Sequence, residues 1–305
     1  MKIFNIKKRT LMKSQKGSTL IVIIVTMVVL AIIGTAIYSL TYTARLNQVV
    51  AQRATKATYI AESCVRVAAS EYKASANKIS TLISLHNQSL IMPNNQGSCT
   101  IWIYPYWLYA KTAYNPGETS ITIYLPGSLP MVEEESEEPL TFYTGGLLKI
   151  KKSGVTTNHM AAVFSTASAG TFDAASGTPV TFALSSPFSV AIATGDLFYL
   201  GYKYTSSSTA NAGDNLVLNI PAGDTNDDTA KIFPPKKGSI FVEAGGKISQ
   251  YSYDQRIINS GTSVTLTNIR AIAKTPTPVW PVTINNTAIY MGKSIGFRSK
   301  SKYGD

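Results

Sequence analysis

Residues 18–44 carry no charged side chain, and most of these 27 positions are Ile, Val, Leu, Ala or Thr. A helix needs about 20 apolar residues to cross a hydrocarbon core, so the run predicts a membrane span over 18–44. The apolar pattern continues past Arg45. Leu46, Val49, Val50, Ala54, Ala57, Ile60, Ala61, Cys64, Val65 and Ala68 recur at three- and four-residue spacing. Arg45, Gln48, Gln52, Lys56, Glu62 and Arg66 fall largely off that stripe, which is the pattern of an amphipathic helix. No Gly or Pro occurs over 35–91. The prediction is one long helix over 18–85, frayed over 77–80. At 1.5 Å per residue, its stretch from 18 to 72 is on the order of 80 Å long.

After the breaker cluster at 92–97, which holds Pro93 and Gly97, the pattern changes to short alternating runs. Residues 100–104 and 120–125 read as strands, with a turn at Asn115, Pro116 and Gly117 between them. Strands are also expected over 140–143 and 147–150. The Ala-, Ser-, Thr- and Gly-rich stretch 165–177 suits an exposed loop or edge strands. Two segments echo each other: 195–204 leading to 215–220, and 246–253 leading to 263–269. They predict a twice-used hairpin. Pro276, Pro278 and Pro281 exclude a central strand there, because Pro cannot donate to a ladder. The basic tail 295–305 is expected to be mobile. The fold class is therefore α+β: a long N-terminal helix, transmembrane then amphipathic, followed by a β-rich domain over 98–305, in one lobe or two.

Before the apolar run lie Lys2, Lys7, Lys8, Arg9, Lys13 and Lys16 with no acidic residue, ending at Gly17. Three readings of this arrangement stand. A conventional signal peptide would be cut at the small residues Gly34, Thr35 and Ala36, and a plain anchor would keep its leader. The third rests on a resemblance. A short basic leader ending in Gly, then Ser18, Thr19, Leu20, Ile21 and a long helix with an amphipathic extension, is similar to type IV pilins and pseudopilins. The stretch Tyr59, Ile60, Ala61, Glu62, Ser63 and Cys64 resembles one in PilX-type minor pilins. The likeness covers residues 1–72.

That resemblance implies a prepilin leader over 1–17, cleavage between Gly17 and Ser18 by a prepilin peptidase, and N-methylation of Ser18. It also implies a departure: the fifth position after the cut carries Glu in most major pilins, and here it is Val22. A carboxylate at membrane depth is costly unless paired, so its loss removes one registration contact in a filament. A minor or tip subunit can forgo that contact. The partners implied are other major and minor pilins, an inner-membrane assembly platform and the lipid bilayer. The expected location is the inner membrane, single-pass with the C-terminal domain in the periplasm, and then the pilus at the cell surface.

The net charge of +11 invites a nucleic-acid reading, but the leader holds six of the 28 basic residues. Without it, 22 − 17 leaves +5 over 288 residues, so no nucleic-acid partner is expected. The basic flank is what the positive-inside rule places in the cytoplasm. Cys64 and Cys99 either form a disulfide, tying the far end of the helix to the first strand, or are buried thiols. The only histidines are His86 and His159, and no nucleophile elbow, phosphate loop or dinucleotide fingerprint occurs, so no enzymatic activity is expected. No cofactor is expected either, beyond one Ca²⁺ candidate. Asp224, Asn226 and Asp228 have the alternate spacing of a Ca²⁺ loop but lack its sixth-position Gly and twelfth-position Glu, and a plain turn explains them as well. The acidic run at 133–138 reads as a solvated loop. Trp102, Tyr104, Tyr106, Trp107 and Tyr109 either pack the domain onto the helix or form an exposed adhesive patch.

Overall fold

A computed structural model describes residues 7–93, 97–129, 141–152, 161–206, 209–244, 247–259, 261–272 and 280–303. Helices α1 (Lys7–Ala74) and α2 (Lys78–Leu85) lead into β1 (Gln88–Ile91), β2 (Ser98–Pro105), β3 (Leu108–Tyr109), β4 (Ser120–Leu125) and β5 (Leu147–Lys151). Next come β6 (Ala161–Ala169), β7 (Thr178–Ser186), β8 (Leu197–Tyr204), β9 (Thr209–Ala210), β10 (Leu216–Asn219) and the short α3 (Asp228–Lys231). The chain finishes with β11 (Ser239–Ala244), β12 (Lys247–Ser252), β13 (Arg256–Asn259), β14 (Ser263–Leu266), β15 (Arg270–Ala271), β16 (Val282–Thr283), β17 (Thr287–Met291) and β18 (Ile295–Lys302). The α+β class is as expected. The chain divides into two compact units, one comprising the helix up to residue 59 and the other spanning 60–304.

The predicted helix over 18–85 breaks at 75–77 without Gly or Pro. Asn77 adopts an extended conformation, and its side chain accepts from Ser80 N, which makes it the N-cap of α2. Lys78 Nζ then donates to the Tyr72 and Lys73 carbonyls at 2.6 and 2.8 Å, supplying donors to the end of α1. A cap residue and an adjacent cation together offset the lost helical bonds.

In the second unit, β8, β3, β4, β7, β6 and β5 pair in that order, and β5 pairs back onto β8 to close a barrel. Strand alternation fills its interior with Leu108, Ile121, Ile123, Leu148, Ile150, Phe164, Val180, Phe182, Phe198 and Leu200. Phe164 and Phe182 meet edge-on there at 5.1 Å between ring centres. Strand β8 is the junction. Its first residues pair with β3 and its last with β17, from which β11, β12 and β15 extend the sheet.

The outward residues Tyr109, Leu147, Tyr199 and Tyr290 join a second core with Cys64 and Ala68 of α1, Leu82, Ile83 and Leu85 of α2, and Cys99, Ile101, Ile103 and Trp107. The last turns of α1, α2 and the small sheet β1-β2-β18 supply that cover.

Several expectations fail here. Strand structure begins before residue 98: β1 pairs with β2, so the boundary expected at 92–97 falls inside one antiparallel pair, with 94–96 outside the described residues. The tail is not mobile over 295–302: β18 pairs with β2 along its whole length, because a strand that buries Ile103 needs a partner on its open edge. No strand forms over 141–143, where Phe142 packs on the barrel core instead; Leu140 lies outside the described residues. The stretch 165–177 is the exception that meets its expectation: residues 165–169 extend β6 beyond its pairing with β5, which covers only 161–163, and are an exposed edge with β7 on one side alone. The twice-used hairpin also fails. The second strands of the two echoing segments, β10 and β14, pair with each other, while β8 and β12 lie apart in the large sheet.

Candidate functional site: the apolar stem

One helix near the N-terminus, over 19–74, is long and apolar enough to cross a membrane, and its most apolar window is wholly unburied. Leu20, Ile21, Val25, Val28, Leu30, Ile32 and Ile37 all stand exposed around the helix. An all-round apolar surface of this size has no place in water and marks a lipid or helix–helix contact.

Four threonine hydroxyls inside the run are satisfied within it. Thr26, Thr41 and Thr43 donate to the Val22, Ile37 and Ser39 carbonyls at 2.7–2.9 Å, and Thr35 donates to the Ile32 carbonyl at 2.8 Å. Back-bonding of this kind leaves these four hydroxyls no need of a partner in hydrocarbon, so these threonines do not oppose insertion. Val22 is 60% exposed on this surface. Where the run ends, Tyr38 and Tyr42 stack one turn apart with ring centres at 6.4 Å, followed by Arg45. Amphipathic rings just before the first charge are the arrangement that an aromatic belt at a membrane interface uses. Gly17 and Ser18 lie on continuous helical backbone of α1.

The amphipathic stripe splits in two. Leu46, Val49 and Val50 are exposed. Cys64 and Ala68 are fully buried in the second unit, with Ile60 and Tyr72 packed beside them. That end of α1 is locked twice. Cys64 and Cys99 form a disulfide to β2, and Ser299 Oγ on β18 donates to the Ala61 carbonyl at 2.8 Å. The pairing of Cys64 and Cys99 settles the alternative left open above. The Ser299 contact had no signal in the sequence, since serine in a basic tail reads as solvated.

The other sequence candidates take structural roles. Asp224 accepts from Asp228 N, Thr229 N and Thr229 Oγ1 at 2.7–2.9 Å, and Asp228 accepts from Thr141 Oγ1. Asn226 is exposed. The Ca²⁺ arrangement is therefore not assembled: the carboxylates are spent on holding α3, and no metal-holding group of three or more His, Cys, Asp or Glu occurs among the described residues. The adhesive aromatic patch fails too. Tyr104, Tyr106, Trp107 and Tyr109 are all at most 8% exposed, with Trp107 and Tyr109 in the core shared with α1 and α2. Burial pushes the Tyr106 and Tyr109 phenols up to about 12.

His86 is buried, with Nδ1 accepting from Ile103 N at 3.0 Å and Nε2 at 2.8 Å from Ser128 Oγ. Burial holds its imidazole below the usual histidine value, as suits a neutral ring pinning β2 rather than a proton carrier. His159 and the acidic run 133–138 lie outside the described residues. Comparisons of the chain with protein-family models, with curated proteins and with solved structures find no match.

Proposed function

We propose that this chain is a type IV pilin-like minor subunit, most like a PilX-type minor pilin or minor pseudopilin. It would sit at or near the tip of a filament, where it primes assembly or contributes to adhesion. The observation that carries this reading is the apolar stem: unburied around its whole circumference, with the hydroxyls of Thr26, Thr35, Thr41 and Thr43 bonded to its own backbone, and headed by Gly17 and Ser18 after six positive charges. Such a stem can leave lipid for a bundle of other stems without meeting water, because both surroundings are apolar. Association there relies on packing and polar registration rather than on a hydrophobic driving force.

The leader's positive charges oppose that transfer, since each costs about 2.5–3.5 kcal/mol at the centre of a membrane. A prepilin peptidase cutting after Gly17 would remove them and expose the amine of Ser18 for methylation. Val22 leaves the subunit without the carboxylate that would pair with a neighbour's amine, which suits an end position. The β-domain would face the periplasm and then the cell surface.

The test is the fate of the chain in cells that build such filaments. Wild-type chain should appear with pilins in the sheared filament fraction, and a Gly17→Ala variant should stay in the membrane. If both stay in the membrane, the chain is an anchored binding module that never polymerises.

A further inference from the structure

On the outer face of the sheet, Lys203 of β8, Ala288 of β17 and Glu243 of β11 occupy one cross-strand row. The two charged residues are thus two strands apart, about 9–10 Å between backbones, with a methyl group between them. The small central residue leaves an open cleft of about 450 Å³, walled by Lys203, Glu243, Asn285, Asn286 and Tyr290. This is within the range of about 300–1,000 Å³ for small-molecule sites.

One wall is built from behind. Lys149, 1% exposed on β5, places Nζ 3.2 Å from Glu243 Oε2 and 4.6 Å from the centre of the Tyr290 ring. Tyr290 Oη donates to the same Oε2 at 3.2 Å. Gly201 makes this reach possible: a Cβ there would come within 2.5 Å of Tyr290 Cδ1, so only glycine lets the ring lie across β8. Glu243 is therefore held by two donors through one oxygen, while no described residue donates to Oε1. Lys203 Nζ and the side-chain amides of Asn285 and Asn286 have no partner among the described residues.

We infer that this cleft binds an acidic saccharide. A fixed carboxylate oxygen and two amides lining one cleft offer acceptors and donors to neighbouring hydroxyls, which is what a sugar ring presents. Lys149 cancels the charge of Glu243, so the net charge left to a ligand is that of Lys203. A ligand carboxylate meets it in a charge-assisted bond. An amino-acid zwitterion fits less well, because the carboxylate that would take its ammonium is already neutralised from behind.

The test is titration of the full chain in detergent micelles with D-glucuronate, with D-glucose and glycine as comparison probes. Saturable binding of glucuronate is expected, about tenfold tighter than glucose, with that preference lost in Lys203→Ala. Glu243→Gln should weaken glucose, which loses a carboxylate acceptor, and widen the preference for glucuronate, because the charge of Lys149 is no longer cancelled; the unfolding midpoint should fall for the same reason, so binding is read well below it. Absence of saturable glucuronate binding would overturn the inference, as would equal binding of both sugars or tighter binding of glycine.

Discussion

Ser299 and Ala61 are joined by a hydrogen bond of 2.8 Å although they lie 238 residues apart, so the end of the chain closes on the part of α1 that enters the β-domain. The bond sits midway along β18, which also completes the β1-β2-β18 sheet.

Two changes of different size follow from that closure. Ser299→Ala removes one bond of about 1 kcal/mol and should lower the denaturation midpoint slightly. Deleting residues 295–305 unpairs the whole open edge of β2, a strand whose Cys99, Ile101 and Ile103 are buried. The deleted chain should lose cooperative unfolding when followed by tryptophan fluorescence. A cooperative transition near the wild-type midpoint would show that β18 is dispensable.

The disulfide closes a loop of 35 residues between α1 and β2. In the chain-entropy account such a link is worth about 2–4 kcal/mol, mostly by restraining the unfolded chain. Reductant, or a Cys64→Ser plus Cys99→Ser variant, should lower stability by that order in denaturant melts. The double variant should be insensitive to reductant.

Gly201→Ala places a methyl group against Tyr290 and against the Ile289 carbonyl, both at 2.5 Å. The ring must move, and the Ile289 carbonyl, which belongs to the pairing of β8 with β17, must shift as well. A loss of about 1–3 kcal/mol is expected, the range for overpacked sites. A following Tyr290→Leu change should recover only part of it, because the ring is one of the two groups the methyl meets and the Ile289 carbonyl remains.

His86 makes stability depend on pH in a defined direction. Burial depresses its pKa in the folded chain below the 6.5 of a free imidazole, so the unfolded chain takes up the proton first as pH falls. Its contribution is complete above about pH 6.5 and declines as pH drops from there through the folded value. Chemical denaturation between pH 7.5 and about 5 should show a steeper fall for wild type than for His86→Gln. Equal slopes would remove His86 from the account.

Local pattern and long-range closure were not equally legible. The stem was plain from its composition, and β4 from alternation in Ile121, Ile123 and Leu125. What the sequence hid depends on register between distant segments. Lys149 reads as an ordinary polar position in a strand; only the closed barrel and the gap over Gly201 bury it against Glu243 and Tyr290. The tail read as mobile because its serines and lysines give no hydrophobic signal. Most of the bonds holding it are backbone bonds to β2, which carry no side-chain signature, and its two apolar anchors, Ile295 and Phe297, are too few to stand out from that polar stretch. Alternating aromatics such as Tyr199 and Tyr251 marked strands correctly but said nothing about which strand each would pair with.

The central claim is that the exposed apolar helix becomes a polymerisation stem once its charged leader is removed. Intact-mass and N-terminal peptide analysis of the chain recovered from its native membranes tests this most directly. The account predicts a mature chain beginning at Ser18 and heavier by one methyl group. A chain still carrying residues 1–17, or one beginning near Ile37 with the apolar run cut away, would contradict it.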